Sequence, residues 1–403
     1  MNRPQTSLLC ILTALGAYSM ASTSANAEGI EIVREVLLES GNSVYPDMTL
    51  ARTADGYVVA GTDHLRAWAT RIDFQGVVRW RYPESSAAGS GSDGSESSYE
   101  GVVTMPDDTT LLCGFTGGER STGISGLLTR VDKSGRILAR RELKPKQASD
   151  SKLAYFRACV NWGEGAAVLG TATRFSGNAP PYKAEDFYWL LAVDGSGNVK
   201  WEKLFPNPAG HTPGKQGDRP LALANEDLAL SLWYGHAEIV LIDQNAHVKA
   251  QRRIDGGGML IPSIDTDSVV HVLTLQEKGV TLRSLGDHLE DIGAVSGQED
   301  VIRSGGFDAA KAIYLLPDKS MLLFGGQREA SVDTAAIVQI DSDLNAKHQA
   351  FVFEPRWLSI WIAAAVPTGL SGEFATVRHI QRIPRWPNEQ RVGVVLATIR
   401  VKQ

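Results

Sequence analysis

Cysteines, glycosylation sequons and catalytic motifs are all scarce in this chain of 403 residues. It contains three cysteines and no Asn-X-Ser/Thr sequon, which favours a bacterial secretory route over a eukaryotic one. Gly-X-Ser-X-Gly, His-Glu-X-X-His and Cys-X-X-Cys are also absent, so the usual signatures of serine hydrolases, zinc proteases and thiol redox enzymes are missing. The sequence therefore predicts no metal and no cofactor, although a triad assembled from distant segments stays open.

Charge and hydrophobic length argue against two classes of partner. The net charge is −6, whereas a nucleic acid or an anionic membrane surface would require a basic footprint. The apolar stretch at residues 8–20 is shorter than the roughly 20 residues that span a bilayer. It follows Arg3 and ends in small residues up to Ala27, the pattern of a signal-peptidase site. We therefore predict a signal peptide at residues 1–27, a mature domain at residues 28–403, a periplasmic or secreted location and no membrane insertion.

An Asp-containing turn recurs along the mature chain, between pairs of hydrophobic strands spaced by about 45–60 residues. Asp at the first turn position accepts backbone hydrogen bonds, and Gly at the fourth position adopts a positive φ. The Asp and Gly residues of these turns are therefore predicted to be structural. An EF-type calcium loop is disfavoured because it would need further carboxylates, which are missing. The pairs are Asp73/Gly76, Asp132/Gly135 and Asp194/Gly197; weaker copies of the turn begin at Asp243 and Asp341.

Each of these turns belongs to a unit of four short strands, and four strands form one blade of a β-propeller. We predict an all-β fold, a seven-bladed β-propeller. The predicted blades are residues 47–83, 100–144, 153–205, 219–255, 260–295, 309–353 and 358–402.

The last predicted blade lacks its fourth strand, because the chain ends soon after Val401. A solitary strand pattern at residues 30–39 resembles the fourth strands of other blades. We therefore predict that this N-terminal strand completes the last blade and closes the ring, which removes exposed strand edges.

The Asp-X-X-Gly-X-Val-X-Trp form of residues 71–80 and 191–201 resembles the repeat of pyrroloquinoline-quinone-type and related bacterial propellers. The quinone enzymes of that class also carry a tryptophan-docking repeat with an Ala-X-Asp-X-X-Thr-Gly core. This sequence lacks that core, so the resemblance implies a non-catalytic propeller of similar style without the quinone.

Two cysteines remain in the predicted mature chain. Cys113 is placed on an inner strand of one blade and Cys159 on the innermost strand of the next. Such strands can approach one another, so a disulfide and two buried free thiols both stay open. The narrow geometry of a disulfide favours the free thiols.

The long insertions are predicted to share one face of the propeller. They occupy residues 85–98, 175–186, 206–218 and 378–391, whereas the turns on the other face are all short. Long loops on a rigid scaffold commonly bind partners. Two segments, residues 174–189 and 378–391, combine aromatic with charged residues, and Arg and Trp are enriched at hot spots. The residues predicted to bind a partner are Phe175, Tyr182, Lys183, Arg378, Arg382, Arg385, Trp386 and Arg391.

Residues 378–391 are expected to be exposed, with Trp386 as the apolar anchor. A solvated loop whose arginines pair with nearby acids stays open as the alternative.

Two classes of function follow from this reading. The first is a monomeric, non-catalytic protein that binds a protein partner, as a scaffold, an assembly factor or a toxin-neutralising immunity protein. The alternative is a hydrolase or lyase acting on a glycan or lactone in the central channel. Clustered carboxyl groups with perturbed pKa values, or a His pair, would favour the enzyme.

Overall fold

A computed structural model describes the greater part of the chain, which is almost entirely β-strand. The described residues are 30–41, 48–63, 66–82, 96–118, 123–176, 183–207, 220–255, 257–263, 268–276, 279–297, 309–329, 332–352, 357–382 and 392–401. The predicted signal peptide lies outside them. None of the described segments forms a helix of the length and hydrophobicity that crossing a membrane requires.

The strands form seven consecutive blades, as predicted. Strand β1 (Ile30–Gly41) stands apart at the N-terminus. Blade 1 contains β2 (Thr49–Arg52), β3 (Gly56–Asp63), β4 (Arg66–Asp73) and β5 (Val78–Tyr82). Blade 2 contains β6 (Glu96–Thr104), β7 (Thr110–Gly118), β8 (Gly123–Val131) and β9 (Ile137–Leu143). A 3-10 turn at Lys146–Ala148 leads to blade 3, which contains β10 (Leu153–Trp162), β11 (Gly165–Ser176), β12 (Lys183–Val193) and β13 (Val199–Asn207).

The second half of the chain repeats this plan. Blade 4 contains β14 (Leu221–Ala222), β15 (Leu228–Trp233), β16 (Ala237–Ile242) and β17 (Val248–Ile254). Blade 5 contains β18 (Gly257–Ile261), β19 (Val270–Gln276), β20 (Gly279–Leu285) and β21 (Asp291–Gly297). Blade 6 contains β22 (Ala309–Leu315), β23 (Met321–Glu329), β24 (Val332–Ile340) and β25 (Ala346–Val352). Blade 7 contains β26 (Trp357–Pro367), β27 (Glu373–Arg382) and β28 (Val392–Val401).

The N-terminal strand closes the ring, which confirms the prediction. Strand β1 pairs antiparallel with β28, from Ile30 opposite Val401 to Gly41 opposite Val392. It is therefore the outer strand of blade 7. The innermost strands of blades 7 and 1, β26 and β2, also lie in contact. First and last blades are thus joined both at the axis and at the rim.

Apolar contacts between blades form the core. The described residues contain seven buried clusters, one between each pair of neighbouring blades. Both faces of the middle strands are covered, so consecutive residues such as Val58 and Val59 are both fully buried. This explains why these strands read as continuous hydrophobic runs instead of alternating patterns.

The repeated Asp residues fix their own turns. The Asp132 carboxylate accepts hydrogen bonds from the backbone N–H groups of Ser134 and Arg136 at 2.9 and 3.0 Å. The same pair of bonds is made by Asp194, Asp243 and Asp341. The predicted structural role of these carboxylates is therefore confirmed.

The turn glycines give a graded prediction for stability. Gly135 and Gly197 have φ values of +93° and +79°, which cost other residues about 1–2 kcal/mol. A Cβ on Gly135 would lie 2.8 Å from Cβ and Cγ of Trp80, whereas one on Gly197 would meet Arg130 Cδ at 3.6 Å. We expect both Gly→Val variants to lower the free energy of unfolding, and Gly135→Val to lower it more. Equilibrium denaturation checks this order; an equal loss would contradict the packing argument.

Candidate functional site

The two faces of the propeller differ in construction. The turn face carries the links between first and second and between third and fourth strands, such as residues 53–55 and 74–77. The loop face carries the links from second to third strands and from blade to blade. Within the described residues, the turn-face links are short and largely bonded to themselves. Because longer links on a rigid scaffold are where binding surfaces usually form, the loop face is the candidate binding face.

Seven carboxyl groups of the turn face have lowered pKa values. Hydrogen bonds from Ser134 lower the pKa of Asp132 to about 2. A hydrogen bond from Arg71 lowers the pKa of Asp55. The pKa is also lowered at Asp107, Asp194, Asp243, Asp291 and Asp318. All seven lie in or beside turns, and a lowered pKa is the signature of a carboxylate that its own surroundings stabilise.

Bulges interrupt some of the innermost strands, which surround the central channel of a propeller. Four of these strands skip residues in pairing, and a bulge re-aims the side chain of a skipped residue. The skipped residues are Glu100 in β6, Arg157 in β10, Lys311 in β22, and Leu358 and Ala363 in β26.

The first two of these residues meet across neighbouring blades. Arg157 Nη1 donates to Glu100 Oε2 at 2.5 Å, and the two side chains remain 26% and 16% exposed. The Arg157 guanidinium also lies over the Tyr155 ring, 4.9 Å from its centroid. Phe115 of blade 2 meets that ring edge-on at 5.1 Å. Burial raises the pKa of Tyr155, so its hydroxyl stays protonated at neutral pH.

A second cation–aromatic pair lies further out on blade 3. The Arg174 guanidinium approaches the Phe187 ring to 5.9 Å and pairs with Glu185, which is directly opposite it in the sheet. The next residue, Phe175, is 39% exposed near the end of β11. Blade 3 therefore has an arginine beside an aromatic ring in two places, on its innermost strand β10 and on the hairpin formed by β11 and β12.

An interblade contact holds this part of the loop face in place. Tyr188 of blade 3 is fully buried, and its hydroxyl bonds to both backbone groups of Trp233 at the end of β15. Its ring meets Tyr234 edge-on at 5.9 Å. A third cation–aromatic pair, Lys203 with Phe205, also ties blade 3 to blade 4, since the ammonium donates to Ala246 O. The arrangement is built on strands and is correspondingly rigid.

The predicted binding residues fall into three groups. Phe175 is exposed, but it lies near the end of β11 and not in a loop. Lys183 and Arg382 are end residues of β12 and β27, and the structure describes their backbone alone. Tyr182, Arg385, Trp386 and Arg391 lie outside the described residues.

Arg378 requires a correction. It is not in an exposed loop: it lies within β27, is 5% exposed and pairs with Glu35 of β1. The same extension of strands takes Phe175 into β11 and residues 183–186 into β12. From sequence alone, a charged residue at the end of a strand and next to an insertion is easily assigned to the loop. The carboxylate that permits the burial of Arg378 is 343 residues away in the chain.

Sequence reasoning missed the site at Glu100 and Arg157. A usable signal was the glycine that recurs near the middle of the second strand. Gly114 and Gly170 stand opposite the bulges, and a Cβ on either would lie 2.0 Å or less from a carbonyl oxygen of the innermost strand. Such a glycine marks a close backbone approach and hence a bulge.

Comparison with known proteins assigns the chain to no family. No protein-family model matches the chain, and no curated protein matches it. Solved structures that are similar include a Dos1 propeller (8% identity, TM-score 0.49, covering 90% of this chain and 94% of that one). Others are the polysaccharide lyase Uly1 (10%, 0.47, 90% and 91%) and a Bacteroides caccae protein of unknown function (14%, 0.44, 74% and 94%). These similarities are too low to support inference about function, and the fold assignment rests on the strand pairing itself.

Proposed function

We propose that this protein is a periplasmic or secreted binding module that holds a protein partner against its loop face. It would serve as a scaffold, an assembly factor or a toxin-neutralising immunity protein. The observation that carries the proposal is the loop-face side of blade 3. There the Arg174 guanidinium lies 5.9 Å from the centroid of the Phe187 ring, and the next residue, Phe175, is exposed near the end of β11. Arginine and aromatic side chains are the residues that dominate binding energy at protein interfaces.

Electrostatics favours this proposal over a hydrolase or lyase in the channel. A carboxyl group that acts as a general acid at neutral pH needs a raised pKa. In the described residues the resolved carboxyl shifts are downward and belong to the turn face. On the innermost strands, the Glu100 carboxylate is paired with the Arg157 guanidinium. These are the properties of a recognition surface.

The insertion between β27 and β28 is proposed to extend this surface. Residues 378–391 hold four arginines, and Trp386 lies between Pro384 and Pro387, in a chain of net charge −6. Prolines reduce the entropy that a loop loses on binding. With Arg378 assigned to the interior, Arg382, Arg385 and Arg391 remain as charge contacts for an acidic partner. Its association rate would fall as salt concentration rises.

The test uses two phenylalanines that are equally exposed on opposite faces. Phe175 and Phe74 are each 39% exposed, and Phe74 lies in a turn-face link. We expect Phe175→Ser and the double variant Trp386→Ala/Arg385→Glu to lose partners that wild type captures from periplasmic extract. Phe74→Ser should retain them. Quantitative mass spectrometry of the captured proteins measures the difference.

Folding controls make the result interpretable. Each variant should keep the wild-type melting temperature to within a few degrees, because Phe74 and Phe175 are each 39% exposed and the loop of Arg385 and Trp386 is proposed to be exposed. If the loop-face variants fold and keep every partner, or if Phe74→Ser is the variant that loses them, the proposed binding face is wrong.

A further inference from the structure

Two thiols meet at the boundary between blades 2 and 3. Cys113 of β7 and Cys159 of β10 are both free, and both belong to the apolar cluster between these blades. Gly101, directly opposite Cys113 in the sheet, permits the approach. A Cβ on Gly101 would lie 2.5 Å from Cys113 Sγ and 2.9 Å from the backbone N of Cys159. The Cys113 sulfur and the Cys159 backbone therefore both lie next to Gly101.

The two thiols have unequal access to solvent. Cys113 is fully buried, whereas Cys159 is half-buried on the innermost strand. Burial raises the pKa of the Cys113 thiol well above its usual range, and its hydrogen bond with the Cys159 side chain acts in the same direction. The thiolate is the nucleophile in disulfide exchange, and access governs the rate. Cys159 is consequently the residue that an external reagent meets first.

We propose that Cys113 and Cys159 are a dithiol site that closes to an interblade disulfide on contact with an external disulfide, either a small molecule or an exchange protein. The Cys159 thiolate attacks one sulfur of the oxidant and expels its partner as a thiolate. Cys113 then attacks Cys159 Sγ in the mixed disulfide, loses its proton to solvent and expels the second thiolate. Two protein thiols are oxidised, and one external disulfide is reduced to two thiols.

Closure would fix the part of the channel wall where the charged bulges lie. Glu100 immediately precedes Gly101, and Arg157 lies two residues before Cys159. A covalent link between the blades restrains the relative position of β6, β7 and β10, and so of the Glu100–Arg157 ion pair. The dithiol site itself does not depend on the proposed binding function.

The experiment oxidises the folded full-length protein in a Cys10→Ser background, so that these two cysteines alone remain. Incubation with oxidised glutathione should remove two hydrogens from the intact mass. A non-reducing digest should contain a peptide pair that links Cys113 to Cys159. The melting temperature should rise by about 5 °C, because the link closes a loop of about 45 residues in the unfolded chain.

Controls separate the proposed link from other oxidation. Dithiothreitol should reverse the shift, and Cys159→Ser, which keeps the shape of the side chain, should show no shift with glutathione. The linked peptide is read in the parent protein, so it does not depend on the variant folding. Two free thiols persisting in the oxidised folded protein, a stable glutathione adduct, or a linked peptide that joins two chains would each overturn the proposal.

Discussion

Deleting residues 30–41 should leave the chain unable to form a soluble, cooperatively folded monomer. Strand β1 covers the whole of β28, which would otherwise be an exposed edge ready to pair with another chain. The deletion also removes Leu38 from the core between blades 7 and 1. The expected loss is of the order of the total stability of a domain, about 5–15 kcal/mol.

A buried arginine adds to this effect. Arg378 has an exposed side-chain fraction of 6%, and Glu35 of β1 is its carboxylate partner. Removing one partner of a buried ion pair leaves an uncompensated charge at a cost of about 3–5 kcal/mol. The Glu35→Gln variant isolates this contribution, since the strand and its backbone hydrogen bonds are kept. It should be clearly destabilised yet soluble, unlike the deletion.

Size-exclusion chromatography and thermal melts measure both effects. A matched control is Val33→Ser, because Val33 is 43% exposed on the same strand; it should behave as wild type. A synthetic peptide of residues 30–41, supplied during refolding, should restore monomeric protein by filling the vacant edge. If the truncated chain remains a monomer with the wild-type melting temperature, β1 is not needed for closure.

The architecture could be predicted from sequence because its determinants are local. Asp-X-X-Gly turns and hydrophobic runs each depend on a few adjacent residues, so the seven blades were placed to within a few residues of their observed bounds. The closure by β1 followed from a missing strand at one end and a surplus strand at the other. The structural role of the turn aspartates was predictable for the same reason, since each carboxylate accepts hydrogen bonds from the backbone of its own turn.

The site could not be predicted in the same way, because it depends on long-range packing. Glu100 and Arg157 come together because two separate strands each skip one residue in pairing. Arg378 is buried because a strand from the other end of the chain brings a carboxylate to it. The skipped residues are marked only indirectly, by the glycines that stand opposite the bulges. The distant partner of Arg378 leaves no mark in the sequence around it.

Removing the two carboxylates that hold Arg71 should destabilise the fold more than removing Arg71 itself. The Arg71 side chain is 1% exposed and reaches Asp55 of its own blade and Asp108 of blade 2, each at 2.7 Å. It therefore joins the first two blades at the turn face. The carboxylates are 60% and 30% exposed, so water can solvate them when the arginine is absent.

The asymmetry sets the expected order of variants. In Asp55→Asn/Asp108→Asn the arginine is left buried without a counter-charge, at about 3–5 kcal/mol. Asparagine also tolerates the positive φ of 60° at Asp108, so the backbone is not the cause. Arg71→Met replaces the buried stem with an apolar one and should cost about 1–2 kcal/mol. The triple variant should recover most of the loss seen in the double variant.

Denaturant unfolding at several pH values provides the measurement. A hydrogen bond from Arg71 lowers the pKa of Asp55 in the folded protein below its ordinary value of 3.8. Its contribution is therefore present above pH 3.8 and is lost as the pH falls through the folded-state pKa. Wild type should lose this part of its stability as the pH falls below 3.8, and the double variant should not. If Arg71→Met lowers the free energy of unfolding as much as the double variant does, the hypothesis is wrong. The two aspartates would then not be needed to balance a buried charge, and packing of the arginine stem would account for the loss of stability.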